Sequence, residues 1–440
     1  MAVRDMNIEC FAKCGEYLKT WWEPENLKYW SPGDRFKEVS AFLLPQIEAF
    51  VDDIAKKRPI VVGFSVNESN LPFTNRVAER IREKLPMAKV IYGGAGIAWP
   101  EERRKLVSEA VDGFVIGEGE VALPSLLDAL MNGGVWEDVP GLEWAGGPIE
   151  KEPSKDLLIP SLDALPTPDF SDFPLGLYQT RQLPLEFGRG CPNRCTFCND
   201  PKIMPKYRFK SPERMLEDVK HYKQLYGGHD FQFNDLLINA HVENLRRFAE
   251  LVVRDGVRMA YSGQAIINKR LTDETLAVLK QSGCTSLVFG VESFSDKVLD
   301  SMKKGYDSTM ARTVIERVHR AGIKVIVNLI VGFPGETELE LNETMEFLRA
   351  HRHMIDSVSA LSACIVTPQC DLERHPEKYG IVLPKPEHWC QWYTEDGANT
   401  YDVRQKRLYK MIALCDELGL MRGMTNRYLE MVDGRAVAQA

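Results

Sequence analysis

From residue 185 onward, apolar and polar positions alternate in a regular rhythm. Short runs at 185–188, 231–234, 259–265, 287–292, 325–331 and 358–366 have the length and composition of buried strands. Between them, 212–226, 242–255, 273–282, 308–321 and 338–351 carry the spacing of helices that bury one face. The joints agree. Ser211 is an N-cap followed by Pro212 at the first helical position. Gly227, Gly256, Gly283 and Gly322 each stand just past a helix, where a left-handed residue closes it. Six strands and five intervening helices predict a partial, TIM-like (β/α)6 barrel over 185–375.

Residues 1–150 show a second alternation. Strand-like runs at 60–66, 89–94 and 115–116 are separated by helix-like runs at 75–85 and, after them, 122–131. Glycines at the strand ends predict a Rossmann-like, doubly wound parallel sheet. Residues 151–184 then hold Pro153, Pro160, Pro166, Pro168, Pro174 and Pro184. Proline at that density interrupts helix and ladder alike, so an ordered linker is expected. Residues 376–440 are rich in proline, tryptophan and charge and end in a helix near 403–418, a small C-terminal domain. The fold class expected for the whole chain is α/β.

Composition narrows the function classes. The 440 residues are 44% hydrophobic and 27% charged, which excludes a mostly disordered chain. Lys plus Arg number 55 and Asp plus Glu 63, a net charge of −8, so no global nucleic-acid footprint is expected. The most apolar stretch, 324–333, is far shorter than the roughly 20 residues of a membrane span. The N-terminus lacks a signal-peptide core, and a cytoplasmic protein is expected. Ten cysteines are too few for a disulfide scaffold. Seven are scattered, Cys364, Cys370 and Cys390 among them, and read first as buried small hydrophobes.

The other three, Cys191, Cys195 and Cys198, fall at C-x3-C-x2-C in the loop after the first barrel strand. That is the carboxyl face, where barrel active sites are built. Gly188 and Gly190 let the backbone turn into the loop. Thiolates suit zinc or iron–sulfur clusters. A structural zinc or a closed cubane wants four ligands, and no fourth cysteine is near. A four-iron cluster would keep one iron without a protein ligand, the mark of a catalytic centre. A zinc knuckle with a distant fourth ligand, or unrelated thiols, are the competing readings. Spacing, the neighbouring Phe197 and barrel position favour the cluster.

With these residues on the barrel, the chain resembles the radical S-adenosylmethionine (SAM) superfamily over roughly 185–370. Phe233-Asn-Asp235, Phe289-Gly-Val-Glu-Ser293 and 329–336 resemble that superfamily's strand ends. The resemblance implies a 4Fe-4S cluster on the three cysteines, its open iron chelated by the amino and carboxylate groups of SAM. It places Phe197 near the adenine and Glu292 at the ribose or methionine end. Gly332 would let backbone approach the adenosine, although a tight strand exit before Pro334 needs a glycine equally. Asp235 is divided between a place in the SAM site and a cap or turn role, as is Asn239. Reductive cleavage of SAM would give a 5′-deoxyadenosyl radical that takes hydrogen from a substrate, and a flavodoxin or ferredoxin would supply the electron.

Gly63-Phe-Ser-Val66, Tyr92-Gly-Gly94 and Gly117-Glu-Gly-Glu120, followed by the Pro-rich linker, resemble the cobalamin-binding domain fused ahead of many such enzymes. Residues 4–8 resemble an early strand of it. Ser65 and Ser69 could hydrogen-bond the nucleotide tail. Backbone at Gly93, Gly94, Gly117, Glu118 and Gly119 could hold its phosphate. The sequence offers no Asp-x-His-x-x-Gly for a lower axial histidine, and the domain reads as shortened at its N-terminus. A domain that has lost cobalamin and only shapes the substrate cavity is the alternative. The leading expectation is a cobalamin-dependent radical SAM C-methyltransferase acting on a small-molecule or peptide substrate. The alternatives are a radical SAM enzyme without functional cobalamin, performing oxidation, cyclisation or rearrangement, and a non-catalytic cobalamin or iron–sulfur binding protein.

Overall fold

In the computed structural model, residues 2–22, 30, 34–67, 69–178, 180–384 and 389–421 are described. The chain opens with helices α1 (Met6–Lys13), α2 (Glu16–Lys19), α3 (Asp34–Phe42) and α4 (Leu44–Lys57). The expected strand at 4–8 is therefore a helix start. Asp5 caps α1, its carboxylate accepting from Ile8 N at 3.2 Å, which starts a helix where the resemblance implied a strand.

Strands β1 (Val61–Ser65), β2 (Lys89–Gly93) and β3 (Gly113–Val115) pair in parallel in sequential order, and β4 (Leu142–Trp144) joins β3 antiparallel. Helices α5 (Leu71–Lys84) and α6 (Pro100–Leu106) connect the parallel strands, and α7 (Gly119–Asn132) follows β3. Alternation along the strands sorts the core onto two faces. Val90, Tyr92 and Phe114 pack with α4 and α5 through Ile47, Val51, Val77 and Ile81. Ile91, Val115 and Leu142 pack on the other face with Ala122 and Leu126 of α7. Helices on both faces make the domain Rossmann-like.

The second sheet has six parallel strands in sequential order: β5 (Leu183–Leu185), β8 (Asp230–Phe233), β9 (Ala260–Ala265), β10 (Cys284–Glu292), β11 (Lys324–Val331) and β12 (Ser357–Ala363). A two-stranded ladder, β6 (Gly188–Arg189) with β7 (Arg208–Phe209), stands beside it. The first barrel strand is thus shorter than expected, because its last residues leave the sheet for that ladder. Helices α8 (Asp200–Ile203), α9 (Pro212–Tyr226), α10 (Val242–Arg254), α11 (Asp273–Gln281), α12 (Asp296–Ser301), α13 (Ser308–Arg320) and α14 (Glu338–Ala350) complete the alternation.

On β11, Val325, Val327, Leu329 and Val331 are buried in the core shared with the helices, while Ile326, Asn328 and Ile330 are only half-buried and belong to the opposite face. That face is polar. Ser262 Oγ donates to Gln232 Oε1 (2.5 Å), Ser359 Oγ to Asn328 Oδ1 (2.5 Å), and Asn328 Nδ2 to Gln264 Oε1 (3.5 Å).

After β12 come α15 (Asp371–Arg374), the ladder β13 (Ile381–Val382) with β14 (Tyr393–Thr394), and α16 (Tyr401–Glu417), which packs on β11 and β12. In the aromatic segment before β14, His388 lies outside the described residues. Trp392 belongs to the core: it is fully buried, its Nε1 donates to Cys364 O at 3.1 Å, and the Arg404 guanidinium stacks 3.7 Å over its ring.

Candidate functional site

The β6–β7 ladder forms the neck of the cysteine loop, pairing Gly188 with Phe209 and Arg189 with Arg208. The neck is tight enough to need its glycines. A Cβ on Gly188 would come 2.9 Å from Arg208 O, and one on Gly190, whose φ is +80°, 2.9 Å from Lys206 O. Asp235, just past β8, holds the entry. Its buried carboxylate accepts from Phe187 N (2.9 Å) and from Gly188 N. Burial pushes its pKa up to about 7 against those two bonds. Asp235 thus fixes the backbone that enters the cysteine loop.

Beyond the neck, neighbouring loops clamp the cysteine segment. Thr196 N donates to Met302 O (3.2 Å), Leu372 N to Thr196 O (3.1 Å), Thr367 Oγ1 to Phe197 O (3.0 Å) and Asn199 Nδ2 to Pro368 O (3.0 Å). Cys191, Cys195 and Cys198 are free thiols, half-exposed in this loop. Burial pushes all three above the ordinary thiol range. Asp200 adds to the shift at Cys198, and Lys304 opposes it at Cys191 and Cys195. Among the described residues, no group of three or more His, Cys, Asp or Glu side chains stands together to hold one metal ion. A cubane binds each thiolate to a different iron, so three thiols can serve three corners of a cluster.

Glu292 ends β10 with φ +69°, a strained value for a residue with a side chain, at a register shift between Gly290 and Glu292. A Cβ on Gly290 would lie 2.8 Å from Glu292 Oε1, so the glycine makes room for the carboxylate. Tyr306, buried, donates to Gly290 O and Val291 O at 3.3 Å each and holds the bent backbone. Lys304 Nζ stands 3.3 Å from Glu292 Oε1 and 5.5 Å from the centre of the Phe197 ring. Phe197, Glu292, Lys304 and the cysteine loop therefore share one neighbourhood. Burial raises the Glu292 pKa and Lys304 opposes the shift. Sequence reasoning missed Lys304 and Tyr306, since no spacing rule ties them to Glu292 across α12.

Gly332, expected beside the adenosine, follows β11 directly. It has φ +74°, and a Cβ there would lie 2.4 Å from Arg404 Cγ. The space left by its missing side chain belongs to α16. Its N–H donates to Glu336 Oε1 (2.6 Å), and its carbonyl accepts from Asn399 Nδ2 (3.0 Å). Cys364 and Cys370 are buried beside Trp392, as small apolar residues are.

In the N-terminal domain, Ser65, Ser69, Gly94 and Gly117 are exposed at the ends of β1, β2 and β3 or just past them, at one carboxyl edge, with Gly93 and Gly119 half-buried there. Gly94, with φ +100°, lets the second loop meet the first, because a Cβ would fall 2.6 Å from Val66 O. Asn70 Nδ2 donates to Ser65 O (3.0 Å) and Ser69 Oγ to Asn67 Oδ1 (2.7 Å). Glu118 departs from this edge. It is 4% exposed and accepts from Ile159 N (2.6 Å), Arg208 Nη1 and Nη2 (2.8 and 2.7 Å) and Arg189 Nη1 (2.9 Å). Its carboxylate is taken by the barrel and the linker, which leaves only its backbone at the cobalamin edge.

Comparison with known proteins agrees with this architecture. The Radical SAM superfamily model matches residues 185–348 and the B12 binding domain model residues 35–127. An uncharacterized methyltransferase of Pyrococcus horikoshii is 25% identical over 67% of this chain and 65% of its own length. An anaerobic magnesium-protoporphyrin IX monomethyl ester cyclase of Synechocystis sp. is 21% identical over 73% and 64%. The chain thus spans slightly less than two thirds of either relative. The structure of the radical SAM methyltransferase TsrM from Kitasatospora setae, with cobalamin and a [4Fe-4S] cluster bound, superposes with TM-score 0.62 at 16% identity, covering 76% of this chain and 67% of that one. A radical SAM domain implies a 4Fe-4S cluster and SAM, and a B12-binding domain implies cobalamin. The chain thus carries a radical SAM domain with a B12-binding domain ahead of it.

Proposed function

We propose that this protein is a cobalamin-dependent radical SAM enzyme that methylates carbon. The observation that carries the reading is the three-thiol loop without a fourth cysteine, on the carboxyl face of the barrel and tied through Glu118 to the carboxyl edge of the B12-binding domain. Cys191, Cys195 and Cys198 would hold the cluster. Phe197 offers a ring beside it, and Glu292 offers a carboxylate for amino or hydroxyl groups of SAM. Lys304 supplies positive charge for the thiolates and for a carboxylate. Ser65, Ser69 and the backbone at Gly93, Gly94, Gly117 and Gly119 would receive the cobalamin tail. When bound, the cluster supplies the electron that cleaves SAM, and cobalamin supplies a transferable methyl group.

We assign the substrate to small molecules or peptides, in keeping with a net charge of −8 and a barrel face lined by Gln232, Gln264 and Asn328. We place the protein in the cytoplasm, with a flavodoxin- or ferredoxin-like electron donor. Among the described residues no helix is long and apolar enough to cross a membrane. A radical reaction without methyl transfer is the second reading, supported by the match to a protein named as a cyclase.

The test is anaerobic reconstitution with iron, sulfide and cobalamin, followed by reduction with SAM present. About four irons and one cobalamin per chain, with 5′-deoxyadenosine or a methylated product formed from SAM, support the proposal. A retained cluster without cobalamin leaves only the second reading, and an iron-free chain overturns both.

A further inference from the structure

The carboxylate of Glu118 joins the B12-binding domain to the neck of the cysteine loop. Glu118 follows Gly117, whose exposed backbone with φ +83° ends the loop after β3 at the candidate cobalamin edge. Its own side chain points the other way, into the neck of the cysteine loop. There it meets Arg189 and Arg208, the paired residues of the β6–β7 ladder, two positions before Cys191 and one after Tyr207. The site is built for a charged carboxylate. Glu118 is nearly dry, and Arg208, 6% exposed, also donates to Ile159 O at 2.7 Å. Burial opposes ionisation, but Arg208, the Ile159 N–H and Arg189 outweigh it and hold the Glu118 carboxyl below its usual range. Arg189 is shared further, with Glu120 at the start of α7 (2.5 Å) and with Glu186 (2.7 Å). A buried pair of this kind is a poor source of net stability compared with apolar packing, yet removing one partner is costly. Its value therefore lies in fixing register. Moving the loop at Gly117 pulls on Glu118, Glu118 pulls on Arg189, and Arg189 sits on the strand that leads into Cys191.

We infer that Glu118 is a positioning residue that couples the cobalamin edge to the cluster loop, so that occupancy of either site strengthens the other. The inference rests on the proposed function, since it takes those two cofactors as the occupants. Coupling between sites is reciprocal, and values of about 5- to 150-fold are ordinary. The dissociation constant of hydroxocobalamin, measured anaerobically by absorbance with and without the assembled cluster, should differ at least about 5-fold in the native chain, tighter with the cluster. In Glu118→Gln, which keeps the shape and loses the charge, both cofactors should still bind and the ratio should fall to about one. Arg208→Lys, which keeps the charge but loses the two-pronged contact, should keep only part of the native ratio.

If Glu118→Gln does not fold, hydrogen exchange on the native chain carries the test. Adding cobalamin alone should slow amide exchange across 187–191. A ratio near one in the native chain, an unchanged ratio in Glu118→Gln, or cobalamin binding that leaves exchange at 187–191 unaltered overturns the coupling while the function stands. A native chain that assembles its cluster and binds no cobalamin overturns the function and the coupling together.

Discussion

The ammonium of Lys304 stands 3.3 Å from the carboxylate of Glu292, with both side chains almost out of solvent. The pair lies between the cysteine loop and a strained strand end. Replacing one member leaves the other charge buried and unmatched, which costs about 3–5 kcal/mol. Lys304→Met should therefore lower the melting temperature by several degrees and reduce SAM cleavage at least tenfold. The double variant Lys304→Met/Glu292→Gln should regain most of the stability and none of the activity. Recovery of both would show that the pair serves folding alone.

Tyr306 tests the strained end itself. Its hydroxyl is shared by Gly290 O and Val291 O, the two carbonyls that precede Glu292. Tyr306→Phe removes that hold at a cost of about 1–2 kcal/mol. If the bend positions Glu292 for SAM, KM for SAM should rise several-fold while iron content stays at four per chain. An unchanged KM would confine the hydroxyl to structure.

The cysteines separate cleanly. Cys195→Ala should abolish the iron–sulfur absorbance and SAM cleavage together. Cys364→Ala, a buried thiol outside the loop, should keep both and lose about 1–2 kcal/mol of stability through lost packing. Retained SAM cleavage in Cys195→Ala would remove that thiol from the ligand set.

Two buried carboxyls predict a pH dependence. Asp235 and Glu336 are each pushed up to about 7, chiefly by burial. The unfolded chain ionises these groups near pH 4, so between about pH 4 and 7 the folded state holds more protons. Stability must then fall as pH rises through that window and level off above it, by up to about 1.4 kcal/mol per pH unit for each group. Asp235→Asn should flatten the slope in denaturant unfolding measured from pH 4 to 8. A slope equal to that of the native chain would show that Asp235 does not titrate there.

Much of this was legible in the sequence, for local reasons. Ser211, Pro212 and Gly227 mark both ends of a helix, and α9 spans Pro212–Tyr226 as expected. The three cysteines announce their chemistry by spacing. What the sequence hides is which distant group fills a space or accepts a bond. Glu118 sits in a glycine-rich strand-end motif, yet the two arginines that claim it are 71 and 90 residues away. Asp235 ends a strand as a SAM-site residue would, and its carboxylate goes to backbone 47 and 48 residues earlier. Short-range propensity cannot see such partners, and at Arg4–Ile8 the resemblance to a strand missed a local signal, the Asp5 cap of α1.

Gly332 is the sharpest case, and it gives the last prediction. A glycine after a buried strand invites the reading that a ligand approaches its backbone. Here the approach is made by Arg404, whose aliphatic stem crosses the Cα while its guanidinium reaches Cys390 O and Trp392 O at 2.8 and 2.7 Å. Gly332→Ala would put a methyl 2.4 Å from Arg404 Cγ, on a backbone with φ +74° that L-residues avoid. Overpacking costs about 1–3 kcal/mol and the left-handed backbone about 1–2 more. The melting temperature should fall, with α16 loosening first and hydrogen exchange at 401–417 accelerating. Pairing the change with Arg404→Ala should recover the overpacking part, because the clash goes with the stem. If Gly332→Ala instead leaves α16 and the melting temperature untouched and weakens SAM binding, the glycine faces the ligand after all.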